Sequence, residues 1–488
     1  MAILSHLKPG HVWEHFENIC NIPHPSHHEE KVAQYIISQA DKHGYKSRRD
    51  KIGNVIIDVP ATRGYEKSPI VVLQGHMDMV PVAAQGVEHD FLKNPIKVRI
   101  DGDFVKATGT TLGADNGIGV ALMLGILDDP NANHGPLELF FTVNEESGMD
   151  GAHNTEPDFV KGRILINLDT EEWGQYYISC AGGGDSIITL KLDHVEKGCA
   201  CKVASLKVKV SGLRGGHSGI EINNGFASGN KVLARILDAA WEAGKFHLKS
   251  IKGGNKRNSI SDGAEATLCL EHGNAAAFKK AVAETAEVLR LEYEKTEPNF
   301  MVEIREGSEG HPCMTLESTR AVLDLLVALP HGVITMSPEV PGLVETSTNL
   351  GLINTDDKSV KVSMLTRSAV TSSLFAVKKQ IKVIAGLVGA EVEEPRGYPG
   401  WKPNMDSKLL KIALDVFKEK YGKTPEIKAI HAGLECGLFS EKLPGVDMLS
   451  IGPEMHYVHS PNEELNISSV PKTFDLLLDI IEAVAKRY

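Results

Sequence analysis

Residues 71–80, VVLQGHMDMV, carry an apolar run straight into His76 and Asp78. Side chains two positions apart on a strand share a face, so an imidazole and a carboxylate stand together at the end of a buried strand. The pattern recurs. LELFFTV runs into Asn144, Glu145 and Glu146, RILINL runs into Asp169, and MLSIGP runs into the loop holding His456 and His459. These short apolar strands alternate with helical patterns such as GIGVALMLGILDD, which predicts an α/β fold with a mostly parallel central sheet flanked by helices. Ligands of open α/β sheets gather at the carboxyl ends of the strands, so these acids and histidines converge on one crevice. TTLGADNGIG delivers Asp115 to the same edge, just ahead of a glycine-rich helix start.

A histidine and an aspartate at a strand end, or an adjacent pair of glutamates, is ordinary surface chemistry when it occurs alone. Recurrence at one topological edge makes it a site. His, Asp, Glu, Asp and His form a nitrogen and oxygen donor set suited to zinc, with manganese or cobalt as substitutes. Two divalent ions outweigh the carboxylates that bind them and leave a net positive site able to polarise a carbonyl. Glu145 and Glu146 cannot both reach one metal from an extended chain, because successive side chains point opposite ways. One binds metal and the other handles protons.

The chain has 488 residues, 42% hydrophobic and 24% charged, with a formal net charge of −12. That length predicts two or three domains, and that charge disfavours nucleic acid as a partner. No apolar run approaches the roughly 18 residues that span a bilayer, so no membrane partner is expected. The opening residues lack a basic start followed by an apolar core, and the cytoplasm is the expected compartment. Seven cysteines, scattered and odd in number, fit a reducing environment better than a disulfide framework. Cys199 and Cys201 form an isolated CxC too sparse for a zinc site.

Beyond the first α/β pattern the texture changes. Alternating strands such as SLKVKVSGL and EATLCLEHG, with amphipathic helices between them, predict an inserted α+β domain. STRAVLDLLVALPHG, the paired strands NLGLI and VKVSML, and LFAVKKQIKVIAGLVGA form a second set, so the insertion reads as two similar units. GYPGWKPN is a linker, after which helix, strand and helix return to the first sheet. The expected division is 1–198 for the first part of the catalytic domain, 199–397 for the inserted domain and 398–488 for the second part.

GHMDMV, TTLGADNGIG, NEESGMDGA, NLDTEE, GLRGGHSG and HSPNEE, in this order, resemble the co-catalytic zinc peptidases that include carnosinases and aminoacylases. HAGLECGLF, CAGGGD and KATGTTLGADNGIG are similar more narrowly to the bacterial cytosolic branch that cleaves Xaa-His dipeptides, carnosine among them. The resemblance covers essentially the whole chain. It implies two zinc ions per chain, one held by His76, Asp115 and Asp169, the other by Glu146 and His459, with Asp115 bridging. It implies Asp78 as the residue that orients His76, Glu145 as general base and acid, and His456 as a loop histidine. It implies that the insertion is a lid carrying His217, a donor to the oxyanion, and Arg367, a bidentate partner for the substrate carboxylate. Asn258 and Gly433 are further candidates for binding the backbone of a small peptide substrate, and a homodimer is the expected assembly. His431 has no geometric support in the sequence. A deacylase or carboxypeptidase on the same scaffold, or a metal-binding homologue without turnover, is the alternative reading.

Overall fold

A computed structural model describes residues 3–195, 203–307 and 312–488. The chain divides into two compact units. The first comprises Met1–Cys180, Trp401–Ala429 and Leu434–Tyr488, and the second Ala181–Gly400 with Ile430–Gly433. Against the expected boundary at 198, the chain passes into the second unit at Ala181, because Gly182–Lys191 pairs along its whole length with Ser359–Ser368. Cys199 and Cys201 lie outside the described residues. Cys20, Cys180, Cys269 and Cys436 are free thiols, whereas Cys313 is disulfide-bonded.

The first unit is built on an eight-stranded sheet in the order Lys46–Arg49, Val55–Val59, Leu137–Thr142, Val71–His76, Ile164–Asn167, Asp447–Ser450, Gln175–Cys180, Glu426–Ile430. Leu137–Thr142, Val71–His76, Ile164–Asn167 and Asp447–Ser450 run parallel to one another. Three pairs flanking them, Lys46–Arg49 with Val55–Val59, Val55–Val59 with Leu137–Thr142 and Asp447–Ser450 with Gln175–Cys180, are antiparallel, so the sheet is mixed rather than mostly parallel. A tight turn explains one flank: the Asp50 carboxylate accepts the N–H groups of Ile52, Gly53 and Asn54, returning the chain as a hairpin. The parallel strands are buried on both faces, which is why their sequences are continuous apolar runs rather than alternations. Helix Ala114–Asp128, apolar all round, packs between Val71–His76 and helix Gly10–Cys20.

The second unit holds a nine-stranded sheet. Its path runs Met301–Glu306, Val203–Ser211, Ala264–Glu271, His247–Gly253, Val344–Thr355, Ser359–Ser368, Gly182–Lys191, Glu391–Glu393, with Gly332–Met336 added alongside Val344–Thr355. Each half is a strand, helix, strand, strand, helix, strand unit whose strands lie in the order fourth, first, third, second. The first half uses helices Gly229–Ala243 and Ala275–Glu292, the second Leu316–Ala328 and Thr371–Leu387. The halves meet through their second strands, antiparallel, at Gly253 and Ile353. The first half is inserted between the opening strand and opening helix of the second.

Candidate metal centre

The four parallel strands of the first unit share one carboxyl edge, and the titratable residues that follow them meet there. His76 closes its strand and is buried. Its Nδ1 lies 3.0 Å from the Asp78 carbonyl oxygen and 3.4 Å from Asp78 Oδ1, an arrangement that in the neutral ring puts the proton on Nδ1 and turns the Nε2 lone pair into the site. That Nε2 lies 3.0 Å from Asp115 Oδ1 and 3.3 Å from Asp169 Oδ1. Burial opposes a charge on the ring, but Asp169, Asp115 and Asp78 together hold its pKa well above the ordinary value.

Asp115 stands in the first turn of helix Ala114–Asp128 with extended rather than helical torsions, φ −83° and ψ 106°. Its two oxygens divide between two histidines: Oδ1 faces His76, and Oδ2 lies 3.1 Å from His459 Nε2. Two features hold this turn. The buried Glu463 carboxylate accepts the backbone N–H groups of Leu112, Gly113, Ala114 and Asp115 at 2.7, 3.1, 2.8 and 3.3 Å. Asn116 donates to the Leu168 carbonyl at 2.7 Å, in a slot where a Cβ on Gly75 would come within 2.2 Å of Asn116 Oδ1, and one on Gly119 within 2.3 Å. Glycine at those two positions lets helix, strand and Asn116 approach.

Glu145 and Glu146 do not lie on extended chain. Asn144 takes a left-handed conformation, φ 55°, which ends the strand and starts the short helix Glu145–Gly148. The pair nevertheless separates: Glu146 reaches His459 Nε2 at 2.9 Å, and Glu145 stands apart from both histidines. The Asp78 carboxylate caps this helix, accepting from Glu145 N at 2.9 Å, Glu146 N at 3.2 Å and Ser26 Oγ at 2.8 Å. Glu29 accepts from Asn144 N at 2.9 Å. Burial is the main reason the Glu145 carboxyl is pushed well above the usual carboxylate range, with Asp169, Glu146 and Glu435 adding to it against His76.

Asp169 is buried, and its Oδ1, though close to His76, makes no hydrogen bond. Burial and then the Asp115 and Glu146 charges raise it to about 7, against His76. His459 adopts a left-handed conformation, φ 60°, in its loop. Burial opposes its charge, but Asp115 and Glu146 raise it to about 11. His456 is committed elsewhere, Nδ1 to Glu464 at 3.0 Å and Nε2 to Glu454 at 2.9 Å. Ligand atoms of His76, Asp115 and Glu146 all lie within 4.8 Å of one another. An imidazole lone pair, clustered carboxylates and an orphaned buried carboxylate oxygen are what a divalent cation satisfies, so the residues fit the expected metals.

The second unit carries the other expected residues. His217 lies on the two-residue strand Gly216–His217, paired with Ser259–Ile260. Its Nδ1 accepts from Gly219 N at 3.2 Å and Ile220 N at 3.1 Å. The ring proton is therefore on Nε2, and burial, then the Arg367 charge, lowers the pKa and keeps the ring neutral. Arg367 is 5% exposed, donates Nη1–H to Tyr398 Oη at 3.2 Å and leaves its buried Nε without a partner. His431 is also buried, with Nε2 2.7 Å from Ser347 Oγ. A Cβ on Gly219 would come within 2.3 Å of the His431 carbonyl, 3.0 Å of the His217 ring and 3.2 Å of Arg367 Nε, so the glycine brings all three together. Asn258 is exposed and takes part through its carbonyl, which accepts from Ser218 N at 3.0 Å. Gly433 ends the short return Ile430–Gly433. Glu29 and Glu463 went unread in the sequence, because each accepts backbone N–H groups distant in the chain; Ser26 meets the Asp78 carboxylate, and His431, named from the sequence without geometric support, meets Ser347.

An acid and histidine cluster at the carboxyl edge of a mixed α/β sheet defines a metallohydrolase. Residues 72–483 match the model of peptidase family M20/M25/M40, and the chain belongs to that family. It is 40% identical over 484 residues to the cytosol non-specific dipeptidase of Escherichia coli (strain K12), covering 99% of each chain. It is similar in structure to an aminoacylhistidine dipeptidase from Vibrio alginolyticus, with a TM-score of 0.92, 40% identity and 98% of each chain covered. The aminopeptidase PepT from Bacillus cereus shares the fold, at a TM-score of 0.57 and 16% identity over 98% of this chain and 99% of that one.

Proposed function

We propose that this chain is a metal-dependent dipeptidase that hydrolyses Xaa-His dipeptides, β-alanyl-histidine among them, in the cytosol. The observation that carries this reading is end-to-end identity of 40% with a dipeptidase, in a chain whose candidate ligand and proton-handling groups stand at one sheet edge. No helix among the described residues is long and apolar enough to cross a membrane.

His76, Asp115 and Asp169 would hold one divalent ion, and Glu146 and His459 the other, with Asp115 shared. Zinc fits this donor set, and cobalt or manganese can replace it. Such a pair, when bound, polarises a peptide carbonyl and makes water acidic enough to lose a proton near neutral pH. Glu145, beside the ligands and outside them, accepts that proton and returns it to the leaving amine. Asp78 fixes the ring of His76 and, through the backbone N–H groups of Glu145 and Glu146, the direction of both carboxylates. In the second unit, His217 offers an Nε2–H donor for the oxyanion, and Arg367 a guanidinium for the substrate carboxylate, supported by Asn258 and Gly433.

The test is metal content and hydrolysis on one preparation, before and after chelation and zinc restoration, with β-alanyl-histidine, other dipeptides and N-acetyl amino acids. About two metals per chain and chelator-sensitive cleavage confined to dipeptides are expected. Cleavage of acetyl amino acids in their place would make the chain a deacylase, and Glu145→Gln retaining full turnover would remove the proposed base.

A further inference from the structure

One layer beneath the ligands, a polar ladder crosses the four parallel strands. Gln74 precedes His76 by two positions and Asn167 precedes Asp169 by two, so each shares a strand face with a metal-centre residue. Gln74 Oε1 accepts from Asn167 Nδ2 at 2.7 Å, and Asn167 Oδ1 accepts from Ser450 Oγ at 2.5 Å. On the other side, Gln74 Nε2 and Thr142 Oγ1 both donate to Glu435, at 2.6 and 2.7 Å. Glu435, the first residue of helix Glu435–Lys442, is 0% exposed. It is the ladder's one ionisable group.

Both of its hydrogen bonds fall on a single oxygen, Oε2, and Oε1 has no partner although it is buried. A glutamine would accept both bonds on its amide oxygen without the cost of burying an ionisable group. Hydrogen bonding alone therefore gives no reason for a carboxylate here. The charge has another use, and its neighbours name it. Glu435 lies within electrostatic reach of His76 and Asp169. It also bears on Glu145. Burial, with Asp169, raises it to about 7 against His76, Thr142 and Gln74. A pair of cations above it is the natural counter-charge.

We propose that Glu435 is a positioning residue of the metal centre: its buried charge, pinned by Gln74 and Thr142, steadies double metal occupancy without touching a metal. The inference rests on the metal-centre reading above. It is tested on the full-length protein, stripped of metal and titrated with Co²⁺ against a competing chelator, with the visible cobalt absorption as a second readout. Glu435→Gln keeps the hydrogen-bond acceptor and removes the charge. It is expected to weaken at least one cobalt step about tenfold and to change the cobalt spectrum, with the metal-free unfolding temperature unchanged or raised. Thr142→Val, which removes one hydrogen bond and leaves the charge, is expected to bind cobalt within twofold of wild type. If Glu435→Gln does not fold, Glu435→Asp decides: wild-type-like cobalt affinity supports the role of charge, and a tenfold loss overturns it. Unaltered cobalt binding by a folded Glu435→Gln, or an equal loss in Thr142→Val, also overturns it. A wild-type chain that binds no cobalt would instead overturn the metal-centre reading itself.

Discussion

Glu463 holds Asp115 from behind: one carboxylate accepts the N–H of Asp115 and of the three residues before it. Four positions earlier in Glu463's own loop stands His459, whose Nε2 faces the other side of Asp115 at 3.1 Å. The loop that brings His459 to the site thus also sets the turn that presents the shared carboxylate, and neither can shift alone.

Glu463→Gln replaces one of the two accepting oxygens with an NH₂ that meets backbone donors. Leaving buried N–H groups unpaired costs about 1–3 kcal/mol each. The variant is expected to unfold at a lower temperature and to bind Co²⁺ about tenfold more weakly, read by calorimetry and a chelator-competed titration. Wild-type metal affinity in a destabilised variant would show that the clamp serves the fold alone.

Asp78→Ala removes the acceptor of Ser26, Glu145 N and Glu146 N and the carboxylate 3.4 Å from His76 Nδ1. The Asp78 carbonyl still holds the ring. Turnover is expected to fall about 10–100-fold, with metal content reduced less than activity. Elemental analysis beside kcat measures the split, and parallel losses would place Asp78 with the ligands.

The strand-end candidates were legible because each apolar run has to stop somewhere, and stopping on His76, Glu146 or Asp169 is visible in one dimension. Glu463 and Glu29 were not, since each accepts backbone N–H groups far along the chain, and neither was the Ser26 hydroxyl's bond to the Asp78 carboxylate. Glu435 left a faint signal, an acid alone in the apolar stretch of HAGLECGLF. The doubled strand and helix order of the second unit was legible only as texture, because one copy interrupts the other after its first strand. The antiparallel flanks were missed because an apolar strand reads the same whichever way its neighbour runs.

Arg367→Lys keeps the charge and loses the planar fork, with Nε buried and free of partners in the wild type. If the guanidinium holds the substrate carboxylate, KM for a dipeptide is expected to rise about tenfold with kcat little changed, the mark of lost uniform binding. A C-terminally amidated dipeptide supplies the control. It should be a poor substrate of wild type and lose little further in the variant, whereas an equal loss for both substrates removes Arg367 from carboxylate recognition.

His15 ties three helices together away from the site. Its Nε2 lies 2.8 Å from Asp128 Oδ2 and its Nδ1 2.8 Å from the Tyr35 hydroxyl, while Asp128 also meets His43 at 3.0 Å and Lys42 at 3.5 Å. Burial, outweighing Asp128 and Glu14 and aided by Lys42, holds the His15 pKa below its ordinary 6.5. A folded-state pKa below the unfolded one means that the unfolded chain takes the proton first. The stability from neutral His15 is therefore complete above about pH 6.5 and drains as the pH falls from there towards the folded value, by at most about 1.4 kcal/mol per pH unit. Asp128, whose own pKa is lowered by His15, Lys42 and His43 against burial, stays ionised through that window. Urea midpoints at pH 7.5 and 5.5 should therefore drop more for wild type than for His15→Gln, which carries no titrating ring; equal drops would show that His15 is not a source of acid sensitivity.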